Sequence, residues 1–409
     1  MQIQSRGKSV PSLPASRGWP AEAVAVVARF RVAFRREPDA LAYAPGRIEL
    51  IGNHTDYNGG PVIGVAIDRG TWVAVAARED GRACLSSTQT GAVAVEVPAI
   101  GAKLRRQTGG RAWANYPLGV VDALEAFDLR GPPGFDYLVT GDLPLGSGLS
   151  SSAAIEVASA LCFLQLTRQR CSRVRLAQLG QRAENHFVGV PCGILDQGVS
   201  VFGRAGHAVW IDCTRLKFQP LRLPAGVQFR VFNTHTRHAL VDGLYAQRHR
   251  ECRQAAERLG VRVLADVTPA ALDRHEHRLT AVQRARARHV VSEIARVQAA
   301  AKAMRAGDAR SLGRLLLQSH ASSRDLFENS TAELDFLVEK LTALPGVLGA
   351  RLTGGGFGGA VMALTDSSFS PDAAARLQRE YAARLGGRLE SMALAAGGGA
   401  TPVNPGAKA

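Results

Sequence analysis

Fourteen residues constrain this chain more than any others. From Gly141 to Ala154 it reads GDLPLGSGLSSSAA, with three glycines and four serines. Before it, Phe135 to Val139 is strand-prone and alternates in character; after it, Ile155, Ala158, Leu161 and Cys162 recur at helical spacing. A loop of small side chains therefore joins a strand to a helix N-terminus. At that end the first backbone N–H groups lack intrahelical partners and the helix dipole is positive, so bare backbone and hydroxyls can close around a phosphate. A serine-rich surface turn feeding an N-cap has a similar composition, but the loop's length and its strand-to-helix setting favour the phosphate reading.

The loop is not the lysine-bearing G-x-x-x-x-G-K-[ST] type, because no lysine follows Gly146 or Gly148, and Gly7-Lys8-Ser9 lacks both the first glycine and a preceding strand. A chain of 409 residues has room for two ordinary domains, and 46% hydrophobic against 21% charged residues describes a globular protein with real cores. No apolar run approaches the ~18 residues of a membrane span. The N-terminus carries Arg6 and Lys8 but no apolar segment of the secretory kind, and residues 1–20 read as disordered. Six dispersed cysteines without a C-x-x-C pair point to free thiols and a cytoplasmic setting. The net charge of +15 raises the question of nucleic-acid binding. The densest basic cluster, Arg284, Arg286, Arg288 and His289, has no interleaved aromatics and reads as a solvated helix face. A positive field suits an anionic cosubstrate instead. The expected partners are small molecules, with no nucleic acid and no membrane, on a monomer or weak oligomer.

Three further stretches carry chemistry. Ala44 to Gly60 (APGRIELIGNHTDYNGG) reads as a strand running into a polar turn, with an imidazole, carboxylate and amides close together. Convergent short polar side chains are what a sugar-hydroxyl site needs, and they also fit a Gly/Asn turn with an Asx hydrogen bond; the residues alone leave both open. Leu176 to Gln197 (LAQLGQRAENHFVGVPCGILDQ) sets two carboxylates around an apolar segment, Glu184 at a helix end and Asp196 past a Pro-Cys-Gly turn. Taken singly they read as a surface helix residue and an N-cap. Gly349 to Leu364 (GARLTGGGFGGAVMAL) formally holds G-x-G-x-x-G, but a strand pattern rather than a helix follows, which excludes a dinucleotide fingerprint. Helices are expected near 21–35, 118–126, 247–259, 289–304 and 309–320, strands near 48–51, 71–77 and 227–233 with further β-rich structure over 84–97, and a flexible tail from Ala395.

The loop PLGSGLSSSAA resembles the phosphate loop of small-molecule kinases that include galactokinase, homoserine kinase and mevalonate kinase. The GRIELIGNHTDYN stretch resembles the galactokinase signature G-R-V-N-L-I-G-E-H-T-D-Y-N, and AENHFVGVPCGILDQ resembles a second galactokinase stretch almost residue for residue. Asn233 to Tyr245 and Gly349 to Leu364 extend the likeness, so that it covers roughly residues 40 to 365 in collinear order. Two positions depart from the pattern: Glu49 stands where the family usually has Asn, and Asn53 where it usually has Glu. That family Glu accepts hydrogen bonds from the sugar's end remote from the reacting carbon, whereas an amide both donates and accepts.

The resemblance implies an α+β fold of two domains, 1–215 and 216–409, with the active site in the cleft between them. It implies ATP-dependent phosphorylation of the anomeric hydroxyl of galactose. Asp196 is then the catalytic base and Arg47 holds charge near the moving phosphate. Asn53, His54, Asp56, Gly193 and Tyr245 hold the sugar; Gly146, Ser147, Gly148, Leu149, Ser150, Ser151, Ser152 and Ala153 hold the nucleotide; Ser152 and Glu184 ligate Mg²⁺. Rival expectations are a kinase of the same fold for another sugar, such as a galacturonate, arabinose or N-acetylhexosamine, and a catalytically silent sugar sensor.

Overall fold

Strands with no polar face must be covered on both sides, and that requirement shapes the first half of the chain. The computed structural model describes residues 19–89, 94–98, 104–144, 146–237 and 241–403. Helix α1 (Ala21–Phe34) precedes the strands β1 (Ala40–Ile51) and β2 (Pro61–Ala77), then β3 (Arg82–Ser87), β4 (Val95–Pro98), α2 (Asn115–Leu124) and β5 (Phe135–Gly141). The serine-rich loop follows, then α3 (Ser151–Leu166), α4 (Arg173–Arg182), α5 (Leu195–Phe202) and the hairpin of β6 (His207–Asp212) with β7 (Lys217–Arg222). Leu41, Ala74, Ala76 and Leu138 face α1, while their alternates Ala42, Val73, Val75 and Val139 join the main core with α3. Helix α3 is buried nearly all round, and its Ala153, Ala154, Ala158 and Ala160 let it lie close to β1 and β2.

The second half carries β8 (Gln228–Arg237), α6 (Val241–Leu259), α7 (Pro269–His275), α8 (Ala281–Arg305), α9 (Ala309–Ser322), α10 (Ala332–Thr342), β9 (Val347–Thr353), β10 (Gly358–Thr365), α11 (Pro371–Leu385), β11 (Glu390–Leu394) and β12 (Thr401–Pro402). Its sheet runs β11-β8-β10-β9, all antiparallel. Phe232, Val361 and Ala363 pack under α10 and α11, and Val231, Met362 and Leu364 turn into the core shared with the first sheet. The expected elements are present, mostly with longer bounds, and the fold is α+β with two sheets, each carrying its own helices.

The expectations for the domain boundary, the tail and the basic cluster need correction. The boundary placed between residues 215 and 216 falls inside the turn of the β6–β7 hairpin, whose antiparallel pairing keeps both strands in the first sheet. From Ala395 to Val403, the described part of the tail, the chain is not loose: Gly397 N–H donates to Ala66 O, Ala400 N–H to Ser200 O and Val403 N–H to Leu41 O, and β12 pairs with the edge of β1. The disorder expected for residues 1–20 lies, apart from Trp19 and Pro20, outside the described residues. The basic cluster on α8 is not a solvated face throughout either. Arg286 is buried and bonds Glu251 and the Leu326 carbonyl, and His289 is fully buried beneath the polar turn after β1.

Candidate active site

Strand β1 delivers the first site residues. Ile48 and Leu50 point into the core, so Arg47 and Glu49 share the opposite face. Arg47 donates from Nε and Nη2 to the two oxygens of Asp196, at 2.7 and 2.8 Å, and from Nη1 to the Gly148 carbonyl at 2.6 Å. Its backbone N–H also reaches Leu149 O at 3.0 Å. The bidentate pair locks the carboxylate plane. Ser150 completes the cradle, its hydroxyl donating to Asp196 Oδ2 at 2.5 Å. Asp196 is therefore not an N-cap; it sits in the first turn of α5, whose cap position is Ile194.

The serine loop keeps its helix end open. Ser150 adopts a left-handed φ of 56° and makes no side-chain cap to α3, because its hydroxyl is spent on Asp196. Gly146 and Gly148 take φ of 71° and 69°, and Ser147 turns its hydroxyl back to the Pro144 carbonyl. A cleft lined by Gly146, Ser147, Gly148, Leu149, Ser151 and Ser152 on one side, and by Gly354 to Gly359 of the β9–β10 turn on the other, thus faces uncapped N–H groups. Ala153, also expected at the nucleotide, is fully buried in α3 just behind this rim.

A separate cavity of about 170 Å³ is lined by Arg47, Glu49, Asn53, His54, Asp56, Glu184, Cys192, Gly193, Tyr245 and Gly355, among others. That is the liquid volume of about six waters, the size of one monosaccharide. Arg47, Asp196, Gly354 and Gly355 line both the cavity and the cleft, so the two spaces meet at the Arg47–Asp196 pair. A groove of about 1140 Å³, lined by Asp68, Arg222, Arg305 and Ala396 among others, contains none of these residues.

The polar turn after β1 is held from outside. Glu293 on α8 accepts from the backbone N–H groups of Gly52 and Asn53, at 3.0 and 3.2 Å, and from Ser319, while Arg296 binds its second oxygen. Although burial opposes it, the Arg296 charge and neighbouring cations hold the Glu293 carboxyl down at about 2. His289, held neutral with its pKa lowered to about 4 by burial, bonds Asn53 O. Neither contact is legible in a single motif. Their spacing of four on one helix is the only trace in the sequence.

His54 lines the cavity with both ring nitrogens engaged. Gly355 O can only accept, so Nε2 carries the proton and Nδ1 accepts from the Tyr57 hydroxyl, at 3.0 and 2.9 Å. Burial lowers its pKa to about 3, so the ring is neutral. Asn53 is likewise saturated: its amide donates to Glu49 and to Gly354 O, and its oxygen accepts from Ser323 and Asn329. Neither side chain has a free group to offer a sugar. Asp56 does, since among the described residues its oxygens accept only from the N–H groups of Tyr57 and Leu195. Burial raises its carboxyl to about 6, with nearby Asp196 adding to the shift. Gly193 makes that position possible, because a Cβ there would stand 1.9 Å from Asp56 Oδ2. Tyr245 of α6 closes the cavity beside His54, their rings 5.0 Å apart.

Glu184 lies in a widened π-helical turn, Ala183–Val188, that continues α4. It is buried rather than a surface residue, and its Oε2 accepts from Gln197 at 2.7 Å. Burial, with Asp196 nearby, pushes its carboxyl up to about 7.

Comparison with known proteins identifies the family and the fold. The profile "Galactokinase galactose-binding signature" matches residues 28–77, "GHMP kinases N terminal domain" residues 115–204 and "GHMP kinases C terminal" residues 300–385. The chain is 41% identical to the galactokinase of Homo sapiens over 86% of its own length and 90% of that protein's, and 44% identical to the galactokinase of Roseiflexus sp. (strain RS-1) over 83% and 87%. Its structure matches the crystal structure of Lactococcus lactis galactokinase complexed with galactose with a TM-score of 0.86 at 32% identity, covering 92% of this chain and 99% of that one. A mevalonate kinase structure matches with a TM-score of 0.61 at 17% identity over 87% of this chain and 98% of that one, which shows the shared fold. The chain belongs to the galactokinase family.

Proposed function

We propose that this protein transfers the terminal phosphoryl group of ATP to the anomeric hydroxyl of galactose, giving galactose 1-phosphate and ADP. The observation that carries the reading is the meeting of a sugar-sized polar cavity and an anion cleft at the Arg47–Asp196 pair. Phosphoryl transfer is mainly positioning and charge compensation, with modest help from a base. Asp196, held by Arg47 and Ser150, takes the proton of the attacking hydroxyl. Arg47 keeps unused N–H donors beside that point to neutralise charge on the moving group. The uncapped start of α3 and the loop from Gly146 to Ala153 bind the phosphates. Asp56 and Tyr245 orient the sugar, with Gly193 leaving room for Asp56.

Ser152 and Glu184 offer hard oxygen donors, the kind Mg²⁺ takes when substrate phosphates complete its shell. A buried carboxyl raised to about 7 beside a second acid is also relieved by a cation. The two residues therefore fit the ion, which when bound supplies charge neutralisation across the phosphates. Six unpaired thiols accord with a reducing compartment, and on that ground we read the enzyme as cytoplasmic. No helix among the described residues is long and apolar enough to cross a membrane.

The test is ADP release with galactose, galacturonate, arabinose, N-acetylgalactosamine and glucose, with and without Mg²⁺, on the unaltered chain and on Asp196→Asn. Galactose is expected to be preferred and the variant to lose about 10²-fold or more in kcat with sugar KM little changed. Preference for another sugar, or a variant near full activity, refutes the assignment.

A further inference from the structure

The two departures from the family signature, Glu49 and Asn53, touch each other. Asn53 Nδ2 lies 3.1 and 3.3 Å from the two oxygens of Glu49. Asn53 has every valence of its amide occupied by protein partners, so it cannot serve as the acceptor for a sugar hydroxyl. Glu49 is differently placed. Its Oε1 accepts from Arg351 at 2.9 Å as well as from Asn53, whereas among the described residues Oε2 has only the longer Asn53 contact. That oxygen keeps lone pairs to spare, and the side chain lines the sugar cavity. Arg351 is fully buried, with Nε and Nη2 unpartnered among the described residues, and it anchors the carboxylate against β1 through Leu50 O.

Position follows from the strand. Glu49 stands two residues beyond Arg47 on the same face of β1, about 7 Å along. That is the span of a pyranose from its reacting hydroxyl to the substituents across the ring. We infer that Glu49 is the specificity-determining acceptor for the hydroxyl groups at the end of the sugar remote from Asp196, and that Asn53 is its positioning partner, the carboxylate and the amide having exchanged places within one hydrogen-bonded pair. The inference rests on the kinase reading above.

The experiment compares the unaltered chain, Glu49→Gln, Asn53→Glu and the exchange variant Glu49→Asn/Asn53→Glu. Galactose is set against its 4-deoxy and 6-deoxy analogues, both in turnover and in equilibrium binding by calorimetry. Loss of one acceptor oxygen predicts that Glu49→Gln lowers discrimination against at least one analogue by about tenfold, through KM rather than kcat. Asn53→Glu, which sets two carboxylates side by side, is expected to weaken sugar binding by a similar factor. The exchange variant is expected to regain most of the discrimination that either change removes. If Glu49 only props Arg351, Glu49→Gln lowers Tm and leaves the galactose-to-analogue ratio unchanged, and the inference is overturned. Absence of galactose turnover in the unaltered chain refutes the kinase reading instead, while the binding ratios still decide the role of Glu49.

Discussion

Adding one methyl group at Gly193 tests how closely the site is built. The Cβ of Gly193→Ala would stand 1.9 Å from Asp56 Oδ2 and 2.0 Å from Asp56 Cγ, where real contacts stay beyond 3.0 Å. The carboxyl group must therefore retreat by about 1 Å or more. Asp56 then loses its hold on the N–H of Tyr57 and of Leu195, and Leu195 opens the helix that carries Asp196. A misplacement of that size costs about 10²-fold in rate, or about 2.7 kcal/mol of transition-state stabilisation. The assay is kcat/KM for galactose by coupled ADP release, read beside Tm and nucleotide affinity. We expect nucleotide binding near that of the unaltered chain, a fall in Tm of a few degrees, and about a hundredfold loss in kcat/KM. Activity within threefold would show that Asp56 is free to move without consequence and that its contact with Gly193 does not organise the site.

Two other perturbations separate the supporting layer from the reacting one. Glu293→Ala removes the acceptor for two backbone N–H groups of the sugar turn and strands Arg296, so a loss of about 3–5 kcal/mol in urea unfolding is expected, with sugar KM raised; unchanged unfolding would refute the anchoring role. The pH dependence has opposed parts. Asp56 is raised to about 6, so its contribution is present below the unfolded pKa near 4 and is lost as pH rises through 6; His289 is lowered to about 4, so its contribution is present above pH 6.5 and is lost as pH falls towards 4. Removing the first by Asp56→Asn takes away part of what opposes the second, Glu184, raised to about 7, remaining in both chains. The variant is therefore expected to lose more stability than the unaltered chain between pH 7 and pH 5, and an equal or shallower slope in urea unfolding contradicts the assignment.

Much of the site was legible as local pattern. A loop of glycine and serine between a strand and a helix places uncapped N–H groups wherever the rest of the chain goes, and the observed φ angles at Gly146, Gly148 and Ser150 follow from it. The apolar runs of β1 and β2 required cover on both faces, and α1 and α3 supply it. Helix spacing placed α1, α2 and α9 within a few residues of their observed bounds, whereas α6 and α8 begin six and eight residues before their expected starts. What a stretch of sequence could not reveal was which polar groups are already taken. His54 and Asn53 look like sugar ligands in their motif, yet their bonds close onto Gly355, Gly354, Ser323 and Asn329, more than 250 residues away. Arg286 and His289 read as solvated, yet they are buried by α6, α9 and the sugar turn.

By itself, then, the sequence determined the order of elements, the phosphate loop, the family and the presence of one carboxylate and one amide at positions 49 and 53. Only the tertiary structure decided that these two side chains meet, that Arg351 from another sheet pairs with one of them, and that of the two it is Glu49 that keeps acceptor capacity in the cavity. The physical reason is that hydrogen-bond capacity is finite. A side chain's chemistry is written in its residue type, but the part left over for a ligand depends on partners that only folding brings within 3 Å.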